Sequence, residues 1–320
     1  MGILRILFCV VLTFTAMHAG AQSAWPTRPV KIVVPFAAGG ATDVTARAIA
    51  THLSKTFGQS FVVENKSGAS GKIGTDYVLK AEDDHVLLMN NPSGLTLPWL
   101  IERHPSFDPV QDFQPVIQAA SATLFLAVNS QVPVANLQEF LAYAKTHPGK
   151  LSYASIGSGS AQHFVTELLK QRVGISLVHI PYRGEAPAIN DLLSGTVEVY
   201  FIASGKRLES ESRVRLLGVA AKERWFNMPQ VPTFAEQGLK DFTFDAWNGL
   251  FAPKGLPADV VKKLNAAVNE ALAADDVKEA IQKLGFSPVG GTSSALAQRV
   301  ALDIQTYRPL IEQKIVQLND

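Results

Sequence analysis

Short apolar runs alternate with amphipathic stretches along this chain, and the alternation starts twice. Lys31 to Val34 reads as a strand running into Pro35. From about Thr42 the spacing becomes helical: Val44, Ala48, Ile49, Leu53 and Phe57 share one face, and Gly58 stops the helix. Phe61 to Glu64 is the next strand, residues 65–74 a Gly-rich loop, and a short helix then carries Tyr77 and Val78. Val86 to Met89 is a third strand. This β-α-β-α-β order predicts a parallel sheet covered by helices.

A loop rich in proline follows (Pro92, Pro98, Pro105, Pro109), and the strand Leu124 to Val128 marks the expected first passage between lobes. The pattern then restarts. A helix with Leu137, Phe140, Leu141 and Ala144 ends at Pro148-Gly149, and the strand Leu151 to Ala154 opens a second series. A helix with Phe164, Val165, Leu168 and Leu169 precedes the strand Leu177 to Ile180. A further helix carries Ile189, Leu192 and Leu193, and strands Val197 to Ile202 and Arg215 to Val219 complete the set. Phe242 to Phe251 reads as a return strand. Helices over Ala258 to Leu284, broken near Ala274-Asp275, and over Ser294 to Leu318 close the chain. These last helices have no strands of their own, so they are expected to cover the first sheet. The expected division is lobe 1 from residues 22–125 and 248–320, lobe 2 from 126–247, with two crossings forming a hinge.

Both series share one design: a strand, a turn of glycines and small residues, then a helix. The first turn is Phe36-Ala37-Ala38-Gly39-Gly40 and the second is Gly157-Ser158-Gly159-Ser160-Ala161. Such turns aim free backbone N–H groups forward, where the helix N-terminus adds partial positive charge. Two of them in one chain predict two jaws that grip one anionic group, a carboxylate.

Composition is ordinary for a globular chain, 47% hydrophobic and 18% charged over 320 residues. Residues 1–21 read as a secretory signal: Arg5 is the positive end, Ile6 to Ala16 the apolar run, and Ala19-Gly20-Ala21 the small-residue cleavage site. That run is too short to span a bilayer. Cys9, the single cysteine, lies inside it, which excludes disulfides and thiolate chemistry from the mature protein. Export without disulfides fits the periplasm of a Gram-negative bacterium. Arg5 is the one charged residue of the signal, so the mature chain carries all 28 acidic residues against an equal number of basic ones. No basic block points to nucleic acid, and an anion must be held by a local site.

Candidate chemistry is sparse. No nucleophile-elbow pattern surrounds Ser158 or Ser160, which leaves an exported hydrolase as the rival class. His163, three residues past Ser160, suits a helix start better than a general base. The seven histidines show no metal-ligand spacing, no P-loop is present, and Gly157-x-Gly159 lacks the third glycine of a dinucleotide turn; neither metal nor cofactor is expected. Asp43 either stabilises the first turn of its helix or binds an ammonium or hydroxyl on the ligand, and Arg47 is placed to pair with it. Tyr182-Arg183-Gly184 follows a strand and precedes a helix; Arg183 is either a carboxylate clamp or a solvated side chain.

Taken in order, these motifs resemble a known family. Trp25-Pro26 and Val33-Val34-Pro35-Phe36, then Gly39-Gly40-x-x-Asp43-x-x-x-Arg47, resemble the start of the Bug receptors, the extracytoplasmic solute-binding proteins of tripartite tricarboxylate transporters. Val63-Glu64-Asn65 with Gly68-Ala69-x-Gly71-x-x-Gly74, and Gly157-x-Gly159-Ser160-x-x-His163, continue the likeness. So do Pro181-Tyr182-Arg183-Gly184-x-x-Pro187-Ala188, Val231 to Gly238 and Trp247-x-Gly249. The chain departs from the pattern at Asp83-Asp84-His85-Val86 and at Ile202, where the family often has an acid. The resemblance implies a two-lobed α/β binding protein that closes on a small carboxylate and serves a membrane permease; a ligand carrier of the same fold that docks a signalling receptor is the remaining alternative. A monomer is expected. The expected ligand contacts are Phe36, Ala37, Ala38, Gly39 and Gly40 on the first turn, with Asp43. The second turn is expected to contribute Ser158, Gly159, Ser160 and Ala161, with His163. Tyr182, Arg183 and Gly184 form the third wall.

Overall fold

The structure is a computed structural model, in which residues 25–203 and 205–312 are described. The signal sequence expected over residues 1–21 lies outside the described residues. The chain forms β1 (Val30–Val34), α1 (Ala41–Phe57), β2 (Phe61–Asn65), α2 (Lys72–Ala81), β3 (Val86–Asn90), α3 (Thr96–Ile101) and β4 (Phe113–Thr123). It then passes through Leu124 into a second sheet: β5 (Phe125–Asn129), α4 (Leu137–Thr146), β6 (Ser152–Ser155), α5 (Ala161–Val173), β7 (Val178–Pro181), α6 (Glu185–Ser194), β8 (Val199–Ile202) and β9 (Val214–Val219). It returns as β10 (Asp245–Pro253), α7 (Ala258–Ala273), α8 (Asp275–Lys283), β11 (Ser287–Pro288) and α9 (Ser293–Glu312).

The first sheet has the order β11-β4-β10-β3-β1-β2 and the second β7-β6-β8-β5-β9. In each, one strand (β1, β6) lies between two parallel partners, and an antiparallel strand delivered from the other sheet (β10, β5) comes next. The three strands of the opening β-α-β-α-β series are mutually parallel, as their alternation predicts, and the antiparallel strands that join them make both sheets mixed. At β1 and β6 the connections part to opposite sides. That is the switch point where α/β sheets leave a crevice outside their strand carboxyl ends.

Ile49 and Leu53 anchor α1 in the core as expected, but Ala46 and Ala50 are buried there while Val44, Ala48 and Phe57 are only partly covered. The left-handed conformation of Gly58 ends the helix (φ 64). Three further corrections concern regular structure. α2 begins at Lys72, inside the predicted glycine loop. The Pro-rich loop contains α3 and the 11-residue strand β4. The return strand begins at Asp245. The closing helix breaks at Ala274, and α7, α8 and α9 pack against α1, β4 and α3 of the first sheet. Contrary to expectation these helices do have a strand among them, β11, which pairs with β4. Tyr307 of α9 also reaches Phe164 of α5, with ring centroids 5.2 Å apart.

The departure at Asp83-Asp84-His85 ties down the start of the described chain. His85 Nε2 accepts the Thr27 amide at 3.1 Å, so Nδ1 carries the proton and meets Asp84 at 2.5 Å, while Arg28 pairs with Asp83 at 2.6 Å. Ile202 is fully buried in the core of the second sheet, and its neighbour Ala203 faces the site.

Candidate functional site

The two sheets point their strand carboxyl ends at each other, and a partly open cavity of about 50 Å³ lies between them. Phe36 and Gly40 reach it from beyond β1, Asn91 and Ser93 from beyond β3, Ile156 from beyond β6, and Ala203 from beyond β8. Because β10 is antiparallel, its beginning, Ala246 to Asn248, reaches the same place. The first residues of three helices line the cavity together: Ala41 to Asp43 of α1, Ala161 and Gln162 of α5, and Glu185 of α6. First-turn amides have no acceptor within their own helix and carry the positive end of its dipole. Phe36, Leu124, Phe244, Trp247 and Phe286 supply apolar walls.

The first turn owes its shape to Asp43. Gly39 has φ 83, which an L side chain rarely adopts, and its amide donates to Asp43 Oδ2 at 2.9 Å. Asn65 Nδ2 donates to Asp43 Oδ1 at 2.9 Å, and Arg47 Nε lies 3.1 Å from both carboxylate oxygens. Asp43 is 3% exposed. Burial alone would raise its carboxyl, but Arg47, the Gly39 amide and Asn65 outweigh it and hold the group below the usual carboxylate range. The pairing with Arg47 expected from their spacing is present.

The second turn is braced by histidines. His163 Nδ1 accepts the Gly159 amide at 2.9 Å, and its ring stacks on His179 at 4.0 Å between centroids. Ser160 caps α5, its hydroxyl accepting the His163 amide at 3.4 Å. Contacts between the lobes hold the turns face to face. Ser93 Oγ accepts the Ala161 amide at 2.9 Å, Ser70 Oγ donates to the Ser158 carbonyl, and Arg207 donates to the Gly39 carbonyl at 3.2 Å.

The expected contacts are thus divided. Phe36, Gly40, Asp43 and Ala161 line the cavity. Ser158, Tyr182 and Arg183 line a separate, open groove of about 380 Å³ that Phe36 also borders. Tyr182 turns its hydroxyl to Asp191 Oδ2 at 2.7 Å; burial, then that carboxylate, push the phenol upward. Arg183 is exposed. Ala37, Ala38, Gly39, Gly159, Ser160, His163 and Gly184 do not line the cavity. Gly159 faces Ile101, and Gly184 abuts Ala37: a Cβ there would stand 3.4 Å from Ile101 Cδ1 and 2.8 Å from Ala37 Cβ. The polar residues that sequence reasoning missed are Thr42, Asn91, Ser93, Gln162, Glu185 and Asn248. Each stands one to three residues past a strand end or at the start of a helix or strand, a position that could have flagged it.

Two α/β lobes that enclose a small cavity at the carboxyl ends of their strands define the solute-binding proteins of the periplasmic type. Residues 45–316 match the tripartite tricarboxylate transporter family receptor, and the chain belongs to that family. It is 33% identical over 320 residues to protein BugT of Bordetella pertussis, covering 98% of both chains. The fold is similar to that of the periplasmic binding protein BugD (TM-score 0.86, 32% identity, 92% of this chain and 99% of BugD). It is equally similar to MatC of Rhodopseudomonas palustris with bound malate (TM-score 0.86, 33% identity, 90% of this chain and 100% of MatC). No helix among the described residues is long and apolar enough to cross a membrane.

Proposed function

We propose that this chain is a periplasmic receptor that captures a small carboxylate between its lobes and presents it to the permease of a tripartite transporter, without catalysing a reaction. One observation carries the proposal: three helix N-termini converge on one cavity. The family match and the malate held by MatC support the ligand class. Lobe 1 comprises residues 22–125 and 248–320 and lobe 2 residues 126–247; the mature protein acts as a monomer after the signal sequence is removed. In this scheme the carboxylate rests on the amides at Ala41 and Thr42, and closure over it engages Ser93 with Ala161. Residues Ala37 to Gly39, Ser158 to Ser160, His163 and Tyr182 to Gly184 shape the turns and the rim of the closed site.

Native mass spectrometry of the protein as purified identifies a retained ligand, and calorimetry with that acid measures its affinity. Gly40→Asp supplies the control. Gly40 caps α1 with ordinary backbone angles (φ −76, ψ 169), and a Cβ there makes only van der Waals contacts. Asp suits a helix N-cap, so stability should hold within about 0.5 kcal/mol. Its charge enters the cavity, so affinity for the acid should fall at least a hundredfold. Unchanged affinity would refute an anion site at this turn.

A further inference from the structure

The side chains of Asn91, Thr42 and Asn248 form a hydrogen-bond chain whose direction is fixed at one end. Asn91 Oδ1 accepts the Ser93 amide at 2.9 Å, and a backbone N–H can only donate, so Asn91 presents its Nδ2 to Thr42. That Nδ2 donates to Thr42 Oγ1 at 3.0 Å. The Thr42 hydroxyl in turn donates to Asn248 Oδ1 at 2.9 Å. Turning the Asn248 amide over would set its Nδ2 against an oxygen that already receives Asn91, and would strip the Thr42 proton of its acceptor. Asn248 therefore keeps its donor end for the cavity that it lines. The residue is 2% exposed, and its Nδ2 has no hydrogen-bond partner among the described residues. Buried side-chain donors are almost always satisfied, so one left over at a cavity wall marks a group that a ligand completes.

The chain ends beside the start of α1. Thr42 stands in the first turn of that helix, so its bond to Asn248 sets the Asn248 amide against the same turn. The N-cap of α1 is Gly40, which has no side chain to accept the first-turn amides. On α5 Ser160 fills that place, its hydroxyl accepting the His163 amide. The wall made by α1 and β10 thus offers first-turn amides and Asn248 Nδ2, which are all donors. A carboxylate brings two oxygens that only accept, and each can take a charge-assisted bond from this wall. An alkyl or ammonium group placed there would leave the donors unpaired or opposed.

From this arrangement we propose that Asn248 is the side-chain donor for the ligand: its Nδ2 and the first-turn amides of α1 hold one carboxylate between them. Thr42 and Asn91 are positioning residues, which act through Asn248 by fixing which end of its amide meets the ligand. This rests on the receptor function proposed above. Thr42 serves the carboxylate twice, directly through its amide and indirectly through its hydroxyl, and the two roles separate when the side chain alone is changed.

The test is calorimetry on the full mature chain with malate, succinate, glutarate and adipate, read on whichever of them the wild type binds most tightly. Asn248→Leu removes the donor and should weaken binding by about ten- to a hundredfold. Asn248→Asp keeps the shape but turns acceptors toward the ligand, and should weaken it more than a hundredfold. Thr42→Val keeps the backbone amide and frees the Asn248 amide to turn over, so it should cost about three- to tenfold, while Thr42→Ser, which keeps the hydroxyl, should stay within threefold. In the Asn248→Leu background Thr42→Val should cost less than twofold, because its effect runs through Asn248. If Asn248→Leu binds within threefold of wild type while Gly40→Asp abolishes binding, the inference is overturned and the carboxylate receptor stands. An equal cost of Thr42→Val in both backgrounds overturns the positioning role. Should the Asn248 variants fail to fold, the Thr42 pair still decides: equal affinity of Thr42→Val and wild type overturns the inference. If the wild type binds none of the acids, both proposals fail together.

Discussion

Replacing Asp43 by Asn separates its two roles, because the structure assigns nearly all of its hydrogen-bonding capacity to the protein. The carboxylate receives the Gly39 amide on Oδ2 and Asn65 on Oδ1, each at 2.9 Å, and Arg47 on both oxygens. Asn offers one acceptor oxygen and turns two N–H donors toward donors. At least one of the two bonds from Gly39 and Asn65 is lost, and the other loses its charge assistance, at about 1 kcal/mol or more each. The Arg47 side chain is 51% exposed and can turn to solvent, so its pair contributes at most about 0.5–1 kcal/mol. The total is about 2–3 kcal/mol at neutral pH, well above the roughly 1 kcal/mol of a simple cap. In a chain of this size it should lower the melting temperature by about 4–10 °C. Carboxylate affinity should stay within threefold or tighten, since a negative charge leaves the cavity. The pH dependence carries a second signature. The folded carboxyl lies below its unfolded value, so its stabilisation is complete above about pH 4 and is lost as pH falls through the folded value. Urea denaturation followed by circular dichroism should therefore show a gap between wild type and Asp43→Asn that is full at pH 7 and shrinks below pH 4. A hundredfold loss of affinity with unchanged stability would refute the reasoning and make Asp43 a ligand contact.

Asp303 should act in the opposite sense. It is fully buried, accepts Trp247 Nε1 at 2.8 Å and pairs with Arg299; burial pushes its carboxyl up to about 6 against the pull of Arg299 and Trp247. The folded state keeps this proton where the unfolded chain has lost it, so the contribution is full below about pH 4 and declines by up to about 1.4 kcal/mol per unit until pH passes 6. Asp303→Asn should flatten the stability profile between pH 4.5 and 6.5, and an equal slope in urea titrations of both proteins would count against this assignment. Gly184 has φ 154 and leaves no room for a Cβ against Ala37, so Gly184→Ala should hold the lobes apart. Small-angle scattering with saturating ligand should show a larger radius of gyration than wild type, with affinity at least tenfold weaker; identical curves and affinities would mean that closure does not pass through this contact.

The two strand-turn-helix units were legible because each is local. A strand end, small residues and an amphipathic period occupy consecutive positions; the first helix starts within one residue of its expected position, at Ala41, and the second carries the expected Phe164, Val165, Leu168 and Leu169. The family and its two-sheet fold were legible for the same reason, since the motifs stand in order along the chain. β4 was not. Phe113–Thr123 carries Gln114, Pro115, Gln118 and Ser121 among its apolar residues, which blurs the alternation. It is held as a strand by pairing with β10 and β11, more than a hundred residues later in the chain. The cavity wall was hidden by the same distance. Gln162 and Glu185 stand at helix starts where a capping or solvent role is the default for a polar residue, and nothing nearby in sequence places Asn248 opposite them. Gly159, by its motif, belonged in front of an anion, yet in the closed molecule it faces Ile101. Local chemistry determined which turns expose amides. Only the packing of one lobe on the other decided which of those amides look into the cavity and which side chains complete its far wall, because that choice depends on the relative position of surfaces that no local pattern encodes.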